Sequence, residues 1–202
     1  MKFKPFYLFA VLFSLVFAMA AHAEVENGKV APEFSLTDLN GQSRSLSEYK
    51  GKFVVLEWVN PECPFVKKHY QHGDMQKLQA DYTSKDVVWL AINSSADGKQ
   101  GNYSPEKWQE VLAEQKWKAT ATLLDADGKV GKLYGAQTTP HMYVINPEGI
   151  LIYQGAIDSV KSTDSSDIAN AQNYVRLALD EAMAGKPVTT ASTKSYGCSV
   201  KY

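Results

Sequence analysis

Apolar positions recur along this chain in short blocks separated by turn-forming residues. Residues 53–59 and 87–92 are dense apolar runs of strand length, the first interrupted only by Glu57. Runs this short, bounded by Gly, Asp and Pro, predict strands buried on both faces rather than amphipathic helices. Residues 122–124 predict a further short strand before the turn Asp125-Ala126-Asp127-Gly128. Residues 142–145 and 150–153 flank Asn146-Pro147-Glu148-Gly149 as a β-hairpin. Ala31-Pro32-Glu33-Phe34-Ser35-Leu36 with the turn Asn40-Gly41 predicts an opening hairpin. Helices are expected between these blocks. One runs from Pro64 to about Ser84, with Gly73 as its breaking point. A second starts at Ser104 as N-cap, with Pro105 at the first helical position and Glu106 in the first turn, and runs to about Trp117. The last spans 167–184 and ends near Gly185 and Pro187. Residues 94–103 read as a polar loop. Strand–helix–strand followed by hairpin–helix predicts an α/β fold, a central mixed β-sheet with helices on both faces.

One apolar block differs in kind. Residues 1–23 carry Lys2 and Lys4, then an apolar run from Phe6 to Ala21, with no acidic residue. Ala21-His22-Ala23 places small residues three and one positions before a cut that would precede Glu24. This is the pattern of a secretory signal peptide, and it predicts a periplasmic or secreted protein with no stable membrane anchor after cleavage. The run is shorter than the roughly 20 residues a spanning helix needs. The expected organisation is a leader over 1–23, one domain over 24–187, and a tail over 188–202.

Composition changes little. With 45% hydrophobic and 21% charged residues the chain is ordinary globular material. Without Lys2 and Lys4 it carries 19 basic and 22 acidic residues, so nothing marks a nucleic acid as partner. Cysteine usage says more. Cys63 and Cys198 are the only two, too few for a stapled scaffold. Cys63 stands where a buried strand has ended and a helix begins at Pro64. A thiol there meets unpaired N–H groups and the positive end of the helix dipole, which favour the thiolate. The competing reading is an inert core cysteine. Pro61-Glu62-Cys63-Pro64 is turn chemistry, which favours reactivity.

Three segments resemble the thioredoxin-like superfamily, and within it the redoxin/peroxiredoxin-like (AhpC/TSA-type) branch. Gly28-Lys29-Val30-Ala31-Pro32-Glu33-Phe34 with Leu46-Ser47-Glu48-Tyr49-Lys50-Gly51-Lys52 resembles the redoxin N-terminal extension. Asn60-Pro61-Glu62-Cys63-Pro64-Phe65-Val66-Lys67-Lys68 resembles the active-site turn, and Thr138-Thr139-Pro140 the cis-proline loop. The resemblance implies a thioredoxin-like fold and a thiol-dependent oxidoreductase or antioxidant with Cys63 as nucleophile and no cofactor. Its partners would be a disulfide or hydroperoxide substrate and an external thiol reductant. It implies that Glu57 is a buried acid relaying protons to the thiols; the residue alone is equally a strand-end glutamate facing water. Pro140, if cis, would leave the backbone at Thr139 free to pair with an extended substrate.

The sequence departs from the family where the second cysteine of thioredoxins would stand, at Val66, so an intramolecular disulfide must use Cys198. Tyr196-Gly197-Cys198 lies in a polar tail expected to be mobile. Cys198 is then a resolving cysteine, or half of a permanent clasp closing a long loop. Peroxiredoxins carry Thr or Ser where this chain has Asn60, whose amide could donate to a peroxide or mixed disulfide. The two arginines, Arg44 and Arg176, are near neither motif. Two other classes stay open. Cys63, His69 and His72, with Met75 nearby, suggest a soft-metal (copper) binding module, although the second close cysteine of such proteins is missing. The same missing cysteine fits a non-catalytic binding domain. His69 and His72 share a helix face at i, i+3, where a solvated role is the ordinary one. His141 would either stabilise the Cys63 thiolate or sit at the surface, and Trp58 is expected in the core.

Overall fold

The computed structural model describes residues 25–202; the expected leader over 1–23 lies outside the described residues. The main sheet has seven strands. They are β1 (Ser35–Asp38), β2 (Ser43–Ser45), β3 (Val54–Trp58), β4 (Val88–Asn93), β5 (Ala121–Leu124), β7 (His141–Ile145) and β8 (Leu151–Gly155), in the order β2-β1-β5-β4-β3-β7-β8. The central pairs β3–β4 and β4–β5 are parallel and the outer pairs antiparallel. This is the expected mixed sheet. A separate two-stranded ladder joins β6 (Thr138–Thr139) to β9 (Cys198–Ser199).

Every residue of β3, β4 and β7 is buried, because successive side chains point into two different cores. Val55, Val59, Trp89, Ala91, Met142 and Val144 face one core. There they meet Val66 and Tyr70 of α1 (Pro64–Tyr70), Leu78 and Tyr82 of α2 (Asp74–Thr83), Trp108 of α3 (Pro105–Glu114), and Val175 and Leu179 of α5 (Tyr174–Met183). Leu56, Trp58, Leu90, Ile92, Tyr143 and Ile145 face the other, against Phe34, Leu46 and Val130 of the short helix α4 (Lys129–Leu133). Trp58 lies in that core as expected, its indole N–H donating to Ser94 Oγ at 3.0 Å.

Local chemistry explains the element ends. Gly73 breaks the helix that starts at Pro64, with φ of 87°, a left-handed value that glycine alone adopts at no steric cost. Ser104 caps α3 as read, accepting from Lys107 N at 3.3 Å. The last helix starts later than expected. Residues 165–170 form a 3-10 turn capped by Asp164, the chain extends at Ala171, and α5 begins afresh under an Asn173 cap that accepts from Arg176 N at 2.8 Å. Two Asx side chains compete to start one helical pattern, and each takes part of it. Among the described residues no helix is long and apolar enough to cross a membrane.

Candidate active site

Cys63 is the N-cap of α1, in extended conformation, with Pro64 at the first helical position. It lies five residues past the end of β3, and the intervening turn is held by Asn60. The backbone carbonyl of Asn60 accepts from Cys63 N at 3.0 Å, and its side-chain oxygen accepts from Glu62 N at 2.9 Å. Its amide donates to Gln100 O at 3.1 Å, and Glu62 Oε1 accepts from Gly101 N at 3.0 Å. Residues 94–103 thus close over the turn rather than hanging free. A Cβ on Gly101 would stand 2.4 Å from Asn60 Oδ1, so the approach needs glycine.

The tail meets this turn from the other side. The Thr139–Pro140 peptide bond is cis. Thr139 is the register partner of Cys198 in the β6–β9 ladder, and Thr139 O accepts from Cys63 Sγ at 3.1 Å. Further along, Val200 N donates to Gln137 O, Ala96 N to Lys201 O, and Tyr202 Oη to Ala136 O. The tail expected to be mobile is laid down as a strap. Its backbone groups pair with β6, β8 and the 94–103 loop, partners that no local pattern in a polar segment reveals. Both cysteines are free thiols; Cys63 is fully buried and Cys198 half-buried.

Electrostatics separate the two thiols. Burial pushes the Cys63 pKa up, but the polar groups around its sulfur, the Cys198 thiol first, then the Thr139 side chain and the backbone of Cys198 and Val66, outweigh it. The net shift is downward. Cys198 moves the opposite way, pushed up to about 11 by burial and by the neighbouring Cys63. Of the two thiols, Cys63 is the one whose ionisation is favoured and Cys198 the one held protonated.

Glu57 does not face water. It lies on the same sheet face as Val55 and Val59, fully buried, and accepts from Trp89 Nε1 at 2.8 Å, Tyr70 Oη at 2.9 Å and Gln79 Nε2 at 3.3 Å. Burial raises its carboxyl to about 7 against those hydrogen bonds. His141 is buried and not at the surface. It shares the opposite core with Tyr143, and Nδ1 accepts from Gln137 N at 3.3 Å. Burial lowers its pKa to about 4, so it brings no positive charge to Cys63. His69 and His72 do not share a helix face, since α1 ends at Tyr70. His69 is buried 3.8 Å from Asp158, its pKa lowered to about 4 chiefly by burial. Among the described residues no group of three His, Cys, Asp or Glu side chains could hold a metal ion. Arg44 pairs with Asp38 at 2.9 Å and Arg176 with Asp81 at 2.8 Å.

Comparison with known proteins accords with this architecture. The chain is 26% identical over 148 residues to the thiol-disulfide oxidoreductase ResA of Bacillus subtilis, covering 70% of this chain and 72% of that one. A solved structure of an uncharacterized conserved protein from Geobacillus kaustophilus superposes with a TM-score of 0.75 at 29% identity, over 89% of this chain and 94% of that one. The thioredoxin domain of thiol-disulfide oxidoreductase BVU-2223 from Bacteroides vulgatus matches with a TM-score of 0.52 at 23% identity, over 73% and 97% of the two chains, and shows the thioredoxin-like fold. The family model described as AhpC/TSA matches residues 27–154, well over half of the sequence, and the chain belongs to the AhpC/TSA family.

Proposed function

We propose that the protein is an exported thiol–disulfide oxidoreductase in which Cys63 is the nucleophile and Cys198 resolves the mixed disulfide. The observation that carries this reading is the thiol pair. Cys63, the N-cap of a helix and with its pKa lowered, donates through its sulfur to Thr139 O, and Thr139 is the register partner of Cys198, whose thiol is pushed up to about 11. Export rests on the leader pattern of residues 1–23, and the activity has support in the name of the ResA relative.

The chemistry balances as two exchanges. The Cys63 thiolate attacks one sulfur of a substrate disulfide, forming a mixed disulfide and expelling the other sulfur as thiolate. Cys198 loses its proton and attacks Cys63 Sγ, which expels the second substrate thiolate and leaves a Cys63–Cys198 disulfide. Two thiols of an external reductant restore the pair. Glu57, raised to about 7 by burial, is the proton relay that the family resemblance implies, its carboxylate held by Trp89, Tyr70 and Gln79. Thr139 and Pro140 align the substrate backbone once the tail has lifted. A disulfide suits the site better than a hydroperoxide, because both guanidinium groups are engaged in ion pairs with Asp38 and Asp81 and the Asn60 amide braces the turn.

Mass spectrometry of alkylated protein after glutathione disulfide tests the reading. A Cys63–Cys198 bond is expected, with Cys198→Ser accumulating a Cys63–glutathione adduct. Absence of that bond, with Cys198→Ser turning over normally, removes the resolving role. Parallel rates with hydrogen peroxide and a model disulfide decide the substrate class.

A further inference from the structure

A buried ionic cluster lies beside the thiol pair and takes no part in the exchange steps. Asp158, three residues beyond β8, is buried, and so are Lys68 and His69 of α1. Lys68 Nζ sits 3.5 Å from Asp158 Oδ2 and donates to Val160 O at 3.1 Å. Asp158 Oδ2 and His69 Nε2 have no hydrogen-bond partner, whereas Asp158 Oδ1 accepts from Val160 N at 2.9 Å and from the Tyr196 hydroxyl. Tyr196 precedes Cys198 by two residues, and its ring meets Phe65 edge-on at 5.8 Å, two residues after Cys63. One carboxylate therefore ties the helix that starts at Cys63 to the tail that carries Cys198.

Such a cluster is costly to bury, and a surface tail needs no buried acid to fold the domain beneath it. Its geometry has a use at the thiols. A tail free to leave offers Cys198 to Cys63 at low effective concentration; a tail fixed two residues away offers it at high concentration, with the ordering cost already met.

We infer that Asp158, held by Lys68 and joined to Tyr196, is a positioning residue that latches the tail and thereby sets how readily Cys63 and Cys198 form their disulfide. The inference rests on the thiol–disulfide reading. It deepens that reading by placing control of the redox equilibrium in a cluster that touches neither sulfur.

The test is equilibration of the full chain with glutathione and glutathione disulfide, in which one disulfide oxidises the protein dithiol and two glutathione thiols are released. Acid quenching, alkylation and mass spectrometry give the equilibrium constant. Tyr196→Phe removes the hydroxyl and keeps the ring against Phe65, and is expected to shift the constant about tenfold toward the dithiol. Tyr82→Phe is the control, because it deletes a comparable bond to Asp180 (2.7 Å) away from the thiols. It is expected to lower the thermal midpoint and leave the constant unchanged. Asp158→Asn, which keeps an acceptor for Tyr196, is expected to fall between wild type and Tyr196→Phe, and it carries the test should Tyr196→Phe not fold. A constant within twofold of wild type in the folded Tyr196 or Asp158 variant overturns the latch. Failure of the wild-type chain to form any Cys63–Cys198 bond overturns the parent reading instead, and the latch with it.

Discussion

Thr139 pairs in antiparallel register with Cys198, and its carbonyl oxygen lies 3.1 Å from the Cys63 sulfur. One residue thus aligns both thiols. The strand edge at Thr139, where an extended substrate would pair, is taken by the protein's own tail. Access to the buried Cys63 therefore depends on how tightly that tail is held.

Gly197 is the point at which the tail bends onto β6. Its φ is 141°, and a Cβ there would meet Thr139 O at 2.0 Å, a backbone atom that cannot swing aside. Gly197→Ala is expected to displace the tail at a local cost of about 1–3 kcal/mol while the seven-stranded sheet stays intact. Unchanged far-ultraviolet circular dichroism with at least tenfold slower Cys63–Cys198 formation is the expected pair of results. Normal disulfide formation would show that the close approach is dispensable.

The Cys198 thiol is the foremost of the hydrogen bonds that favour the Cys63 thiolate. Cys198→Ala removes it and leaves the ionised form of Cys63 without that partner. The pH midpoint for alkylation of Cys63 should rise by about one unit for the loss of a hydrogen bond to a charged group. A midpoint identical to wild type would assign the acidity to the helix start alone.

Glu57 makes stability depend on pH. Its folded value of about 7 lies above the ordinary 4.5, so the folded state holds its proton more tightly than the unfolded chain does. The favourable contribution is complete below pH 4.5 and is lost as pH rises through 7, an effect of up to about 3 kcal/mol. Glu57→Gln loses hydrogen bonds and is expected to be less stable than wild type at pH 5, with the gap narrowing by pH 8. Urea unfolding at both values measures it. A gap that widens with pH would contradict the buried, protonated carboxyl.

His141 works in the opposite sense. Its folded value of about 4 lies below the usual 6.5, so its contribution is present above pH 6.5 and is lost as pH falls through 4. His141→Asn keeps an acceptor for Gln137 N. Its midpoint should fall less steeply than that of wild type in thermal melts between pH 6.5 and 4. Equal acid sensitivity of the two proteins would place the titrating group elsewhere.

The central sheet was legible because β3, β4 and β7 are short and apolar on both sides, and the capping residues Gly73 and Ser104 act over a few bonds. The placement of Cys63 was legible for the same reason, since Pro64 and the turn before it act locally. The tail was not. A polar stretch pairs or floats according to what lies across from it, and the partners of Cys198 and Lys201 are distant in sequence. The burial of Lys68 and His69 was equally hidden, because polar residues on a helix ordinarily face water, and Lys68 is tolerated inside by Asp158 and Val160 O, both about 90 positions away.

The sequence by itself determined an α/β chain with a thiol at a helix start and one other cysteine near its end. Tertiary structure alone decided that the second thiol rests against the first, that Glu57 faces inward, and that Asp158 joins helix to tail. Helix starts and strand runs follow from neighbours a few residues apart, whereas these contacts join groups 13 to 135 positions apart, which only the folded backbone brings together.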